Sequence, residues 1–171
     1  MQQVERIWLA GEHSAPMASV AQVEAVEGKG LRGDRYFRGT GFYSGFDECQ
    51  VTFVAGEAID HVRETFDIDL SDGRHRRNIV LRGVDVPALV DTRFRVGDAV
   101  FEGTRPRPPC AHVEDLAEEE GVARALGEER GGVCADVVKS GDVAVGNDVE
   151  VLADVGEQSD ELAAAIRERH E

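Results

Sequence analysis

Between residues 97 and 110 the chain carries the run Gly97-Asp98-Ala99-Val100-Phe101-Glu102-Gly103-Thr104-Arg105-Pro106-Arg107-Pro108-Pro109-Cys110. Its first part alternates apolar and polar residues, which predicts a strand that forms a hairpin with Phe94–Val96 around Gly97-Asp98. Prolines restrict φ and remove backbone donors, so strand pairing must end there, and Cys110 follows on a stiff segment. Two nearby arginines favour the thiolate, the form that attacks electrophiles or binds a metal. We therefore predict that Cys110 is the working residue; the alternative is a small apolar core residue.

Short strands bounded by turn residues recur on both sides of this run. The other predicted strands are Val4–Leu9, Val20–Val26, Gln50–Val54, Asn78–Leu81, Val133–Lys139 and Val149–Leu152. Helices are predicted at Gly56–Phe66, Val113–Glu120 and Val122–Glu129, and in a C-terminal helical appendage over residues 154–171. Many short strands with irregular helical insertions favour a mainly-β fold, namely a barrel of mixed strands with peripheral helices.

Length and charge exclude several classes of function. The 171 residues fit one domain, and no apolar run approaches the roughly 20 residues that cross a bilayer. Without a basic-then-apolar signal at the start, we expect a cytoplasmic protein with no membrane partner. A net charge of −15 repels phosphates and argues against nucleic-acid binding. Because Lys29 and Lys139 are the only lysines, we interpret the acidic surface as halophilic; an unusually acidic mesophilic protein is the alternative.

The cysteines are three in number, and none forms a Cys-x-x-Cys pair. In a cytosolic chain Cys49, Cys110 and Cys134 are expected to be reduced rather than bridged. Cys49 and Cys134 are interpreted as structural, and the alternative for Cys134 is a resolving thiol. Cys110, His112 and Cys134 are also zinc ligand types, so a zinc centre is a rival hypothesis, although Cys-x-His is not the usual spacing of a zinc site.

Seven short motifs occur together in one order and resemble the MOSC domain, which is named for the C-terminal part of molybdenum cofactor sulfurases. They are Gly30-Leu31-Arg32-Gly33-Asp34-Arg35, Gln50-Val51-Thr52-Phe53, Arg76-Arg77-Asn78-Ile79-Val80-Leu81, Val96-Gly97-Asp98-Ala99, Pro106-Arg107-Pro108-Pro109-Cys110, Gly131-Gly132-Val133-Cys134-Ala135 and Val145-Gly146-Asn147-Asp148-Val149. The resemblance spans residues 3–153 and implies a barrel-like domain of the stand-alone type. It also implies that the matching cysteine, Cys110, ligates molybdenum or carries a persulfide.

Three further residues have side chains that suit an anionic pterin cofactor. Arg76 and Arg77 offer planar bidentate donors to a phosphate, and the Asn78 amide both donates and accepts. The alternative is a solvated basic run at the start of a strand. In the glycine-rich loop Gly30–Arg35, Arg35 is predicted to add charge to the cofactor site, and the alternative is that it pairs with Asp34 or braces the loop. Asp34 is predicted to be structural. His112 is predicted to transfer protons or to support the thiolate, with a merely structural histidine as the alternative.

The resemblance implies a molybdenum-cofactor-dependent oxidoreductase that reduces the N–O bond of a small N-hydroxylated substrate. Its electrons would come from an electron-donor protein, because the sequence carries no flavin or iron–sulfur motif. The alternative is a non-redox sulfur carrier, in which Cys110 receives a persulfide from a partner cysteine desulfurase that uses pyridoxal phosphate. A third possibility is a module that binds or stores the cofactor without catalysis.

Overall fold

The computed structural model describes residues 2–11, 15–34, 37, 49–107, 121–127 and 130–154. Its strands are β1 Gln3–Leu9, β2 Ala18–Val20, β3 Gln22–Val26, β4 Gly30–Leu31, β5 Val51–Ala55, β6 Ile79–Arg82, β7 Thr92–Val96, β8 Ala99–Pro106, β9 Val133–Lys139, β10 Gly141–Ala144 and β11 Val149–Asp154. Helix α1 is Gly56–Phe66, a 3-10 turn is Val86–Leu89, and α2 is Val122–Ala125. The predicted mainly-β class is therefore confirmed.

Eight strands form one mixed sheet in the order β11-β7-β8-β9-β5-β6-β1-β2, and a smaller sheet has the order β10-β3-β4. Strands β5 and β6 are parallel and are connected through α1, whereas the other strand pairs of the described residues are antiparallel. Antiparallel neighbours need only short turns, but a parallel pair needs a crossover, which α1 supplies.

The predicted barrel does not close among the described residues, because β2 and β11 remain the two edges of the large sheet. After β2 the chain passes through Ala21 into β3, which pairs with β10 in the other sheet. For this reason the predicted single strand Val20–Val26 is two strands. The start of β1 approaches the turn before β11, where the N–H of Val4 donates to the carbonyl of Asn147 at 2.9 Å, but this contact does not extend into a ladder.

An aromatic cluster lies at the centre of the main core. The rings of Phe53, Phe94 and Phe101 are fully buried, with centroids 5.1 to 5.8 Å apart. Val23 and Val143 of the small sheet belong to the same cluster, so both sheets share one core. Edge-to-face and stacked aromatic contacts of this kind stabilise the core beyond what the burial of apolar surface contributes.

Helix α1 covers the other side of the large sheet and has the predicted bounds. Ile59 and Val62 are buried in a second cluster with Val54 and Val80, as their helical spacing predicts, and Phe66 packs partly against it. Ion pairs also connect the helix to the large sheet. Arg82 of β6 contacts Asp60 of α1 at 2.7 Å and Glu5 of β1 at 2.6 Å. Hydrogen bonds to these two carboxylates raise the pKa of Arg82.

Two other predicted elements differ in extent. The helix predicted at Val122–Glu129 ends at Ala125, and the N–H of Gly127 instead closes a turn on the carbonyl of Arg124. Residues 113–120 and the predicted C-terminal helix lie outside the described residues. None of the helices in the described ranges has the length and apolar character that a membrane span requires.

Candidate functional site

The residues predicted to form the site divide into two groups. Arg76, Arg77 and Asn78 are described by the structure and are all buried. Cys110, His112 and Arg35 lie outside the described residues, so the roles predicted for them stay predictions. The site is therefore built here from the segments that flank them.

Asn78 connects three strands at the point where the chain enters β6. Its side-chain carbonyl accepts hydrogen bonds from the backbone N–H and the hydroxyl of Thr52 in β5, both at 3.0 Å. Its side-chain NH₂ donates to the carbonyl of Trp8 in β1 at 3.1 Å. The amide group is fully buried, so these bonds offset the cost of removing it from water. Asn78 thus holds the relative positions of β1, β5 and β6.

Arg77 has a fully buried guanidinium that donates to carbonyl groups from three parts of the chain. Nε donates to Gly131 at 2.6 Å, Nη1 to His75 at 3.0 Å and Nη2 to Arg107 at 3.4 Å. Burial of a cation is costly unless its donors are satisfied, and a planar guanidinium can serve several acceptors at once. Arg77 therefore joins the turn before β9 to the segment that leaves β8.

Arg76 points to a different part of the molecule. Its backbone has a φ of 64°, which is unusual for a residue with a side chain. Its N–H donates to the carbonyl of Gly73 at 3.0 Å, and its Nη1 donates to the carbonyl of Ala15. With Arg76 in the left-handed conformation, the side chains of Arg76 and Arg77 donate to carbonyls of different segments.

His75 is a residue of this site that sequence reasoning did not single out. It is fully buried, and its Nδ1 accepts the backbone N–H of Arg77 at 2.9 Å. A backbone N–H can only donate, so Nδ1 is the acceptor in this bond. The ring of Trp8 lies edge-on, 6.3 Å away. In the sequence, His75 is only one member of the run Arg74-His75-Arg76-Arg77, and nothing local distinguishes it.

The segment that leads to Cys110 begins at this site. Pro106 pairs with Val133 at the end of the β8–β9 ladder, and the N–H of Arg107 donates to the carbonyl of Gly132 at 2.8 Å. Arg107 as a residue is only 4% exposed. The structure thus brings together residues 75–78 and 105–107, which the sequence separates by about 30 positions.

Cys49 and Cys134 form a disulfide, with their Cα atoms 5.3 Å apart. The expectation that all three cysteines are reduced is therefore wrong for this pair. Strands β5 and β9 are neighbours, and Thr52 of β5 lies opposite Cys134 of β9. Cys49, just before β5, therefore lies close to Cys134. A zinc site that uses Cys134 is inconsistent with the disulfide, since its sulfur is then not a thiolate. Cys110 is the one cysteine of the sequence outside this pair.

The glycine-rich loop after β3 is held by Asp34, which is only 3% exposed. Its carboxylate accepts the N–H of Ala10 at 3.1 Å, in keeping with the structural role predicted for it. Arg32 instead contacts Glu24 at 2.5 Å and lies over the ring of Phe37. Within the described ranges, no group of three or more His, Cys, Asp and Glu side chains is placed to hold a metal ion.

Comparison with known proteins gives both a sequence family and a fold. The family model described as the MOSC domain matches residues 40–150. YuaD from Bacillus subtilis has a similar structure, with a TM-score of 0.73 at 16% identity, covering 90% of this chain and 97% of that chain. YiiM from Geobacillus stearothermophilus gives a TM-score of 0.69 at 14% identity, covering 89% and 75%.

YiiM from Escherichia coli is a further structural neighbour, with a TM-score of 0.62 at 18% identity, covering 91% of this chain and 74% of that chain. At these identities the likeness shows the fold alone. None of the curated proteins matches the chain.

Proposed function

Because this chain belongs to the MOSC domain family, we propose that it is a stand-alone molybdenum-cofactor protein that reduces N-hydroxylated compounds. Cys110 would hold the metal through its thiolate, which is a soft ligand. Arg76, Arg77 and Arg35 would supply positive charge to the phosphate-bearing pterin, with Asn78 holding the strand entrance. When bound, the molybdenum centre supplies the two-electron redox step.

One observation carries this proposal: the hydrogen bond from Arg77 to the carbonyl of Arg107. It joins the Arg76-Arg77-Asn78 motif to the segment that bears the cysteine. Cys110 follows Arg107 by three positions, and an extended chain of that length reaches at most about 11 Å. This short connection supports the proposal that Cys110 and the arginines act at one site.

The fit to an anionic group rests on charge. Arg77, Arg105 and Arg107 come from the two joined segments, whereas the Arg76 guanidinium reaches Ala15; the whole chain carries a net charge of −15. Three N–H groups of Arg77 serve carbonyls, so its part is to shape the site and to contribute positive potential. A local positive region in an acidic protein attracts anions and favours the thiolate form of a nearby cysteine.

A second candidate, the sulfur carrier, is favoured by the disulfide. Since Cys49 and Cys134 are paired, Cys110 is left as a single thiol that can keep a persulfide. A desulfurase with pyridoxal phosphate would transfer a sulfane sulfur to that thiolate and leave its own cysteine as a thiol. The persulfide would then pass its terminal sulfur to a metal–sulfur assembly.

The test is expression in a host that makes the cofactor, followed by mass spectrometry of molybdenum and pterin. We expect stoichiometric metal in the natural protein and its loss in Cys110→Ala. The matched control is Cys49→Ser/Cys134→Ser, which should keep the metal. Reduction of an N-hydroxylated base by the loaded protein, with a chemical electron donor, then tests the reaction. A mass increment of one sulfur on Cys110 without metal would favour the carrier. Molybdenum that stays bound in Cys110→Ala would refute Cys110 as the metal ligand, and a Cys110 that holds neither metal nor an added sulfur would refute both.

A further inference from the structure

A cleft lies between β1 and helix α1, on the side of the large sheet that the helix covers. Its volume is about 120 Å³, and its lining comes from residues that the structure describes. Trp8, Ile59 and Val80 line it with apolar side chains from the cluster under α1. Charged residues of β1 and α1 also line it. A concave site with apolar lining and a few charged groups has the character of a small-molecule site.

A β-bulge in β1 places the charged residues of this cleft. The pairing of Val4 with Leu81 is followed by that of Arg6 with Val80, so Glu5 is the extra residue. In a regular strand, Arg6 would share the face of Val4, which lies in the main core. The bulge instead turns Arg6 to the face of the sheet that α1 covers. Bulges re-aim side chains in this way and are over-represented beside functional sites.

The charges that remain available in the cleft are positive. Arg82 already holds both carboxylates, Glu5 at 2.6 Å and Asp60 at 2.7 Å. Arg63 has only a long contact with Asp60, at 3.5 Å, and the ion pairs of the described residues do not include Arg6. Both of these arginines are exposed, so their guanidinium groups can turn toward a ligand. A guanidinium binds a carboxylate through two parallel hydrogen bonds.

We propose that this cleft is a second binding site, which takes a small organic carboxylate. Arg6 and Arg63 hold the charged head, and the apolar body packs against Trp8 and Ile59. An apolar cavity of about 150 Å³ takes benzene, so a cleft of this size suits a ligand with a single ring. The site uses none of the residues to which the proposed function gives a role.

The test follows the fluorescence of Trp8, which is the one tryptophan of the chain and lines the cleft. The full chain without cofactor is titrated with benzoate at neutral pH and constant ionic strength, and calorimetry measures the same binding. Benzamide and benzamidinium carry the same ring with a neutral and a positive head. We expect a saturable change with benzoate, and binding at least about tenfold weaker for the other two compounds.

Three variants assign the binding to the cleft. Arg6→Gln and Arg63→Gln should each weaken the binding of benzoate by about five- to tenfold, because each removes a charged donor. Both residues are exposed, so thermal unfolding should stay close to that of the natural protein. The matched control is Arg95→Gln on β7, which removes the same charge from an exposed site on another part of the sheet. Its affinity for benzoate should stay within about twofold of the natural value.

The proposal is overturned if millimolar benzoate gives no saturable change, or if benzamide or benzamidinium binds as tightly as benzoate. It is equally overturned if Arg6→Gln and Arg63→Gln both bind benzoate with the natural affinity. A loss of the same size in Arg95→Gln would mean that benzoate responds to the overall charge of the chain, and would also refute the site.

Discussion

The side-chain oxygen of Asn78 lies 3.0 Å from the backbone nitrogen of Thr52 and 3.0 Å from its hydroxyl oxygen. The pair is reciprocal, because the hydroxyl of Thr52 also lies 2.9 Å from the backbone nitrogen of Asn78. Both residues are fully buried at the start of the parallel β5–β6 pair. An Arg-Arg-Asn motif that resembles a ligand-binding signature is thus also a structural junction.

We therefore expect Asn78→Ala to lower the free energy of unfolding by about 2–4 kcal/mol, because buried donors and the Trp8 carbonyl lose their partner. Thr52→Val should cost about 1–2 kcal/mol for the same reason. Chemical denaturation measures both. The control is Thr104→Val: Thr104 is an exposed residue whose hydroxyl donates to one carbonyl, so its loss should matter little. A loss below about 0.5 kcal/mol for Asn78→Ala, the size of an ordinary surface effect, would contradict the junction.

Gly132 is expected to be intolerant of any side chain. Its φ is +93°, and an added Cβ would overlap the carbonyl oxygen of Phe53. Gly132→Ala should therefore cost about 3–5 kcal/mol, the sum of backbone strain and overpacking. Gly28→Ala is the matched control: its φ is +74°, with nothing within 4 Å of the added Cβ, so about 1–2 kcal/mol is expected. Equal losses in the two variants by urea denaturation would show that the steric argument is mistaken.

Reduction of the Cys49–Cys134 disulfide should destabilise the protein. The bond closes a loop with a sequence separation of 85 residues, and such a crosslink stabilises by about 2–4 kcal/mol, chiefly by restricting the unfolded chain. Thermal unfolding with and without dithiothreitol measures the effect. The variant Cys49→Ser/Cys134→Ser should show the reduced stability under both conditions, and Cys110→Ser the natural dependence on reductant.

The Cys49–Cys134 disulfide also bears on the expectation that the protein is cytoplasmic. Disulfides are uncommon in cytosolic proteins, where thiols are kept reduced. Trapping of thiols in intact cells, followed by mass spectrometry, will show whether the pair is oxidised there. A fully reduced pair in cells, with unchanged stability on reduction in vitro, would mean that the bond has no structural role.

Acid should loosen the turn between α1 and β6. The hydroxyl and the N–H of Ser71 donate to the carboxylate of Asp69 at 2.6 and 2.9 Å, and these bonds lower the pKa of Asp69. The stability that this group contributes is present above its unfolded pKa of about 3.9 and is lost as the pH falls through the lower folded pKa. Asp69→Asn should thus be less stable than the natural protein at pH 7, and the difference should shrink toward pH 2. Glu64→Gln, on the exposed face of α1, is the control; a difference for Asp69→Asn that does not depend on pH would contradict this account.

Local pattern predicted much of the fold. The spacing of Ile59 and Val62 predicted helix α1 with its observed bounds, because a helix buries residues three and four positions apart. The apolar run after Gly131-Gly132 predicted β9, and Gly97-Asp98 predicted the turn between β7 and β8. The motif order that includes Cys110 indicated the family, which the match over residues 40–150 confirms.

Only the tertiary structure decided which distant groups meet. Cys49 joins Cys134, Arg77 reaches Arg107, and β3 leaves the large sheet for a second one. His75 has a place beside Arg77 that its sequence context does not reveal. The physical reason is that periodicity reports contacts between near neighbours, whereas strand order and buried polar pairs depend on how the whole chain closes its loops and buries its apolar surface.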